Sequence, residues 1–162
     1  MTSETKVLNE NIIEIKNLKK YYQLTSGLMK KVTGVVRAVD DVTFNIPRGK
    51  TIGLVGESGC GKTTISKCIL RAIDPTDGDI LLNNEEGSYN LATLSENELR
   101  PLRKEMQMIF QDPFSSLNPR MNLFEIVSEP LLLNGVKNKT ERQDTMITFL
   151  LAIYKDESFS SK

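Results

Sequence analysis

Thr51-Ile52-Gly53-Leu54-Val55-Gly56-Glu57-Ser58-Gly59-Cys60-Gly61-Lys62-Thr63-Thr64-Ile65 is the stretch on which the fold turns. Its first five residues are short and almost wholly apolar, the pattern of a strand buried on both faces. From Thr63 to Ala72 the residues Ile65, Cys68, Ile69 and Ala72 recur at i, i+3, i+4 and i+7, which predicts a helix with one apolar stripe, ended by Asp74-Pro75-Thr76-Asp77-Gly78. Between the two, residues 56–63 match G-x-x-x-x-G-K-[ST], and strand, glycine loop and helix are the context that this motif requires.

The chemistry follows from the residue types. Gly56, Gly59 and Gly61 let the backbone wrap a polyphosphate with its N–H groups inward, alongside Glu57, Ser58 and Cys60, and the helix adds its positive dipole end. Lys62 is placed to meet β- and γ-phosphate oxygens as a compact cation, and the Thr63 hydroxyl to ligate Mg²⁺, a hard ion that prefers oxygen. Thr64 adds a second hydroxyl. Cys60 serves through its backbone, although a helix N-terminus favours a thiolate there. This motif alone selects no reaction among kinases, GTPases, motor ATPases and transporters.

On the N-terminal side, Ile13 and Ile15 alternate with Glu14 and Lys16 through Leu18, the period of a half-buried strand. From Lys16 to Val39 there are six basic residues and no acidic one, interrupted by Gly27 and Gly34. That pattern predicts a loop or a long hairpin with a basic surface, either solvated or facing phosphate. Val39, Val42, Phe44 and Ile46 form a second strand, closed by Pro47-Arg48-Gly49.

On the C-terminal side, Asp79-Ile80-Leu81-Leu82 predicts a strand and residues 83–88 a turn. Ser95 and Glu98 fit a capping box for a helix that Pro101 must kink or divide. Met106 to Gln111 reads as a strand stopped by Asp112-Pro113. A helix over about 122–133 should stop at Asn134-Gly135, and Thr140 with Gln143 should cap a last helix running to about Tyr154.

Composition excludes much else. The 162 residues balance 21 Lys+Arg against 21 Asp+Glu, which argues against a cationic nucleic-acid coat, and no run approaches the ~20 apolar residues of a membrane span. Two cysteines, Cys60 and Cys68, are too few for a disulfide framework and match no zinc spacing. The absence of histidine removes Ser-His and Cys-His triads and every imidazole base. Nothing at the start resembles a secretory leader, so the expected compartment is the cytoplasm.

The fuller string Gly56 to Thr64, followed about 50 residues later by Ile109-Phe110-Gln111-Asp112-Pro113, resembles the nucleotide-binding subunits of ATP-binding cassette (ABC) transporters. Residues 37–44 and 110–120, with the insertion from Gly27 to Val36, are similar to the dipeptide and oligopeptide importer ATPases. The resemblance implies an α/β fold of the P-loop NTPase type: an antiparallel β-portion, the P-loop core and the start of a helical subdomain. It implies ATP and Mg as cofactors. It also implies that Tyr22, with Tyr21 as the other candidate, stacks on adenine from the place of the aromatic loop. Gln111 matches the Q-loop glutamine that approaches Mg²⁺ and the attacking water. Implied partners are transmembrane permease subunits and a second nucleotide-binding subunit, with no nucleic acid. The implied location is cytoplasmic, peripheral on the inner face of the cell membrane.

The family's Leu-Ser-Gly-Gly-Gln-like signature, its Asp-Glu strand and its switch histidine have no counterpart in these residues. Leu150-Leu151-Ala152-Ile153-Tyr154-Lys155-Asp156-Glu157 imitates an Asp-Glu strand, but it continues a helical pattern and Lys155 breaks its register. The expected organisation is a polar tail over 1–11, a partial ATP-binding domain over 12–144 and a divergent tail over 145–162. The chain then reads as a truncated cassette that binds Mg-ATP and does not hydrolyse it efficiently alone. The alternatives are a non-catalytic fragment that binds membrane subunits through Phe110 to Leu133, or a small P-loop kinase.

Overall fold

The computed structural model describes residues 9–26, 31–112 and 117–155, arranged as two compact units that divide between Gln107 and Met108. The N-terminal unit is built on a four-stranded antiparallel sheet. Its strands are β1 (Asn11–Ser26), β2 (Lys31–Pro47), β3 (Asp77–Asn83) and β4 (Ser88–Asn90), in the order β2-β1-β3-β4. Helix α1 (Lys62–Ile69) follows β2, and α2 (Glu96–Leu102) follows β4 and tightens into a 3₁₀ turn over Arg103–Glu105. The C-terminal unit contains α3 (Leu123–Leu133) and α4 (Lys139–Lys155).

The basic stretch after Lys16 is a long hairpin rather than a loop. β1 and β2 pair from Asn11↔Pro47 to Ser26↔Lys31, with several register shifts. One irregularity lies where β1 reaches Asn17 and β2 reaches Asp41. Both residues hold left-handed backbone (φ 50° and 58°), and Asn17 Nδ2 donates to Asp41 Oδ1 at 2.9 Å. Asparagine and aspartate tolerate this conformation better than other residues with a Cβ. The kink serves packing, because Gly78 of β3 crosses Asn17 so closely that a Cβ at Gly78 would run into the Asn17 backbone.

The irregularity at Asn17 resets the alternation of β1, so that both Ile15 and Leu18 face inward with Val39, where they join Ile80 and Leu82 of β3. Ile65, Cys68 and Ile69 of α1 cover them, and Leu91, Leu99 and Leu102 close the core. Burying each leucine or isoleucine contributes about 1.5–3 kcal/mol. This packing fixes α1 by its apolar stripe and so sets the orientation of the loop that precedes it.

α1 ends before the expected Ala72. Arg71 adopts left-handed backbone (φ 50°), and its N–H donates to Cys68 O while that of Ala72 donates to Lys67 O, both at 2.9 Å. These are the two bonds of a Schellman motif, which satisfies the last carbonyls without glycine. At α2 the Ser95 N–H donates to Glu98 Oε2 at 2.9 Å and the Ser95 hydroxyl to the same oxygen at 2.5 Å. Pro101 lies inside this helix, where it can donate no bond to the Asn97 carbonyl, and the chain tightens into the 3₁₀ turn two residues later. Ser95→Ala is expected to destabilise the N-terminal unit by about 1 kcal/mol, measured as a shift of the urea midpoint at unchanged slope.

Several expectations require correction. Residues 51–55 form no strand: they are irregular and exposed, with Val55 97% accessible. An apolar run forms a buried strand only where neighbours pair with both its edges, and among the described residues no strand pairs with this one. Residues 106–111 are likewise irregular, with Ile109 97% accessible. The start of α4 is held by Asn138, whose Oδ1 accepts the N–H groups of Thr140 and Glu141, and not by a Thr140–Gln143 pair. β4 begins at the last residue of the expected turn and was not anticipated, its three residues being too few to show a period.

Other readings hold. α3 ends at Asn134-Gly135 as expected, where Gly135 supplies φ 97°, and its start carries an unanticipated capping box between Asn122 and Glu125. Residues 150–155 belong to α4 and are helical. Asp156, Glu157 and most of the C-terminal tail lie outside the described residues, as do residues 1–8, the 27–30 connection and the 113–116 part of the Phe110–Arg120 segment.

Candidate phosphate-binding site

The glycine loop turns through three unusual backbone conformations before α1. Gly59 and Gly61 have φ of 81° and 94°, and Gly56 has φ 159°. Gly61 is the N-cap residue of α1 and accepts the Ile65 N–H at 2.9 Å. Among the described residues no side chain caps this helix, and no acidic residue lies in its first turn. The N–H groups of Lys62, Thr63 and Thr64 have no hydrogen-bond acceptor among the described residues. Three amide donors and the positive end of the helix dipole thus face the same end of α1, the arrangement that favours an anion.

Glycine at 61 is a steric requirement as well. A Cβ there would lie inside contact distance of the Ala38 carbonyl oxygen and 3.8 Å from Val39 Cγ2. The loop therefore approaches β2 backbone to backbone at the register shift between the pairs Lys20↔Val39 and Tyr21↔Arg37. A small cleft of about 150 Å³ opens here, lined by Ala38, Gly59, Gly61, Lys62, Thr63 and Thr64. Ala38 is the wall residue that motif reading misses. Alanine carries no chemical signal, and its role depends on a contact between segments more than 20 residues apart.

Lys62 folds back over the loop. Its Nζ donates to Gly56 O at 2.7 Å and Glu57 O at 2.6 Å, and stands 3.3 Å from Cys60 Sγ. The ammonium thus sits at the centre of the turn, with bonds that phosphate oxygens could replace. The hydroxyls of Thr63 and Thr64 have no partner among the described residues, while Glu57, Ser58 and Cys60 are exposed. Cys60 is accessible and Cys68 is sealed in the core, where burial pushes its thiol above the usual range. Among the described residues no group of three or more Cys, Asp or Glu side chains could hold a metal. A cation at this site would need Thr63 together with oxygens supplied by a ligand.

The two tyrosines of β1 differ. The Tyr21 hydroxyl donates to Asp40 Oδ1 and the Arg37 guanidinium covers its ring at 5.5 Å. That hydrogen bond holds the phenol above, and the Asp40 carboxyl below, their ordinary values. Tyr22 is 42% exposed, pairs with Val36 two residues from Ala38, and has Lys20 Nζ 5.0 Å from its ring centre. Gln111 belongs to the C-terminal unit, exposed in a segment without regular structure.

A family model described as ABC transporter matches residues 39–161. The chain is 40% identical over 154 residues to the oligopeptide transport ATP-binding protein AppF of Bacillus subtilis (strain 168), covering 94% of this chain and 46% of that protein. It is 39% identical over 155 residues to the probable peptide ABC transporter ATP-binding protein y4tS of Sinorhizobium fredii, covering 96% of this chain and 43% of that one. Among solved structures it resembles a dimeric post-hydrolysis state of the ATP-binding cassette MJ0796 bound to ADP and Pi. The TM-score there is 0.66 at 25% identity, over 84% of this chain and 54% of that one. The chain spans less than half the length of the two relatives from Bacillus and Sinorhizobium.

Proposed function

The chain belongs to the ABC transporter family, and on that premise we propose that it carries the ATP-binding site of a peptide transporter's nucleotide-binding subunit. The observation that carries this reading is the set of unpaired amides at Lys62, Thr63 and Thr64, facing a cleft whose cation is Lys62. The backbone from Gly56 to Gly61 wraps the phosphates, with Glu57, Ser58 and Cys60 contributing main-chain groups. Lys62 exchanges its bonds to Gly56 and Glu57 for phosphate oxygens. The Thr63 hydroxyl contacts Mg²⁺, which supplies charge neutralisation between phosphates, and Thr64 adds a hydroxyl contact. Tyr22 takes the adenine, because its ring is exposed whereas that of Tyr21 is committed to Arg37 and Asp40. Gln111 is assigned to Mg²⁺ and water through the family motif.

Transmembrane permease subunits and a second nucleotide-binding subunit are the partners of this reading, supported by the names of the peptide-transport relatives and by the dimeric cassette it resembles. Attachment to the inner face of the cell membrane follows from those partners. Among the described residues no helix is long and apolar enough to cross a membrane. The domain reading, an ATP-binding portion over 12–144 with tails on either side, belongs to the same proposal.

Cys60 supplies the test. Mg-ATP is expected to slow maleimide alkylation of Cys60 several-fold, whereas adenosine alone does not, and buried Cys68 reacts only after unfolding. Labelling indifferent to saturating Mg-ATP would overturn the assignment. The 162 residues alone are expected to release phosphate no faster than their Lys62→Ala variant; turnover near 1 s⁻¹, within the ordinary enzyme range, refutes this second part.

A further inference from the structure

The C-terminal unit contains a cleft that the nucleotide site does not use. It opens between α3, the turn before it and the first turn of α4, and its volume is about 620 Å³. Small organic ligands are typically held in cavities of about 300–1,000 Å³. One wall follows from helical spacing. Phe124, Ser128 and Leu132 recur at i, i+4 and i+8 along α3, so they share the face that lines the cleft. Phe124 and Leu132 make this wall apolar, and a hydroxyl lies between them. Ser128 is only 4% exposed, yet its hydroxyl has no hydrogen-bond partner among the described residues. Other helical hydroxyls in the chain return to the carbonyl four residues back, as Ser66 does to Lys62 and Thr145 to Glu141. A buried polar group left without such a bond is the exception that asks for a partner from outside.

Charge of both signs surrounds this wall. Arg120, Lys139 and Arg142 line the cleft together with Glu125 and Glu129. Among the described residues none of the five makes an ion pair. Glu125 is committed to the cap of α3, where its Oε2 accepts the Asn122 N–H at 2.9 Å, whereas Glu129 has no partner among the described residues. Arg142 donates from Nη1 to the carbonyls of Val136 and Lys137 at 2.9 and 2.8 Å. Those bonds orient its guanidinium and leave Nη2 without an acceptor among the described residues.

We propose that this cleft binds the zwitterion of an α-amino acid with an apolar side chain. A simple anion would meet the carboxylates of Glu125 and Glu129, and a simple cation would meet three cations. A purely apolar molecule would cut Ser128 and the charged groups off from water without replacing their hydrogen bonds. A zwitterion answers both signs on one small body. Arg142 takes the carboxylate, because its guanidinium is already oriented and loses little freedom on binding. Glu129 takes the ammonium, Phe124 and Leu132 take the side chain, and Ser128 supplies its free hydroxyl. The inference goes beyond the nucleotide-binding reading and does not depend on it.

The test is calorimetric titration of the full chain, without nucleotide, with three probes of one shape. Leucine carries both charges, leucinamide lacks the carboxylate and isocaproate lacks the ammonium. Leucine is expected to bind about tenfold more tightly than either of the others, since each lacks one charged hydrogen-bonding group. Glu129→Gln should lower the affinity for leucine to about that for isocaproate and leave isocaproate unaffected, which pairs this carboxylate with the ammonium. Ser128→Ala should weaken leucine binding several-fold while the urea midpoint stays or rises, because no hydrogen bond of the free protein is lost. No heat from leucine at millimolar concentration overturns the proposal. Isocaproate or leucinamide binding as tightly as leucine overturns the zwitterion, and full leucine binding by both variants overturns the site.

Discussion

Gly61→Ala is expected to destabilise the N-terminal unit by about 3 kcal/mol or more and to remove nucleotide protection of Cys60 altogether. Two independent effects act together at this residue. Its φ of 94° is left-handed, a conformation that costs a residue with a Cβ about 1–2 kcal/mol. The added Cβ would also meet the carbonyl of Ala38, with the carbonyl carbon at 3.4 Å and the oxygen nearer still. That obstacle is backbone, so no rotamer change relieves it. Either the β2 irregularity shifts or the loop lifts from β2, and both open the cleft that Ala38 and Gly61 line.

Gly49→Ala separates the two effects. Gly49 has φ 69°, but a Cβ there meets nothing within 4 Å, so only the conformational penalty of about 1–2 kcal/mol remains. Urea unfolding of both variants, with Cys60 alkylation in Mg-ATP as the second readout, checks the difference. Equal losses of stability would mean that the contact between loop and β2 is unimportant.

The glycine loop and α1 were legible in the residues because their signals are local. Gly56, Gly59 and Gly61 state where the backbone must be free, and Ile65, Cys68 and Ile69 state which side of the helix is buried. The capping box at Ser95 and the stop at Gly135 are local in the same sense. Where expectation failed, the missing quantity was a partner. Thr51–Val55 has the composition of a central strand and none of its pairing, because apolar sequence specifies a preference for burial without supplying the neighbours. Met106–Gln111 fails for the same reason. Ala38 could not be read as part of the site because only the backbone approach of Gly61 gives it a role. The difference between the surroundings of Tyr21 and Tyr22 likewise depends on Asp40 and Arg37, which lie across the hairpin.

Lys62→Ala is expected to weaken Mg-ATP binding by about 10- to 100-fold, the equivalent of one lost charged hydrogen-bonding group at about 1.5–3 kcal/mol. The same substitution should leave the unfolding midpoint nearly unchanged. Among the described residues Lys62 Nζ bonds only to the loop itself, through Gly56 O, Glu57 O and the Cys60 sulfur, and it supports none of the core residues above α1. Affinity and stability should therefore separate at this residue, whereas Gly61→Ala couples them. Lys62→Arg distinguishes charge from shape. The guanidinium keeps the charge, but it is planar and broader than an ammonium whose donors converge on two carbonyls within 2.7 Å, so it should recover only a small part of the affinity. Full recovery by arginine would reduce the role of Lys62 to long-range attraction, with a correspondingly steep dependence on salt. Unchanged affinity in the alanine variant would place the phosphates away from this loop, and the assignment of Thr63 to Mg²⁺ would go with it.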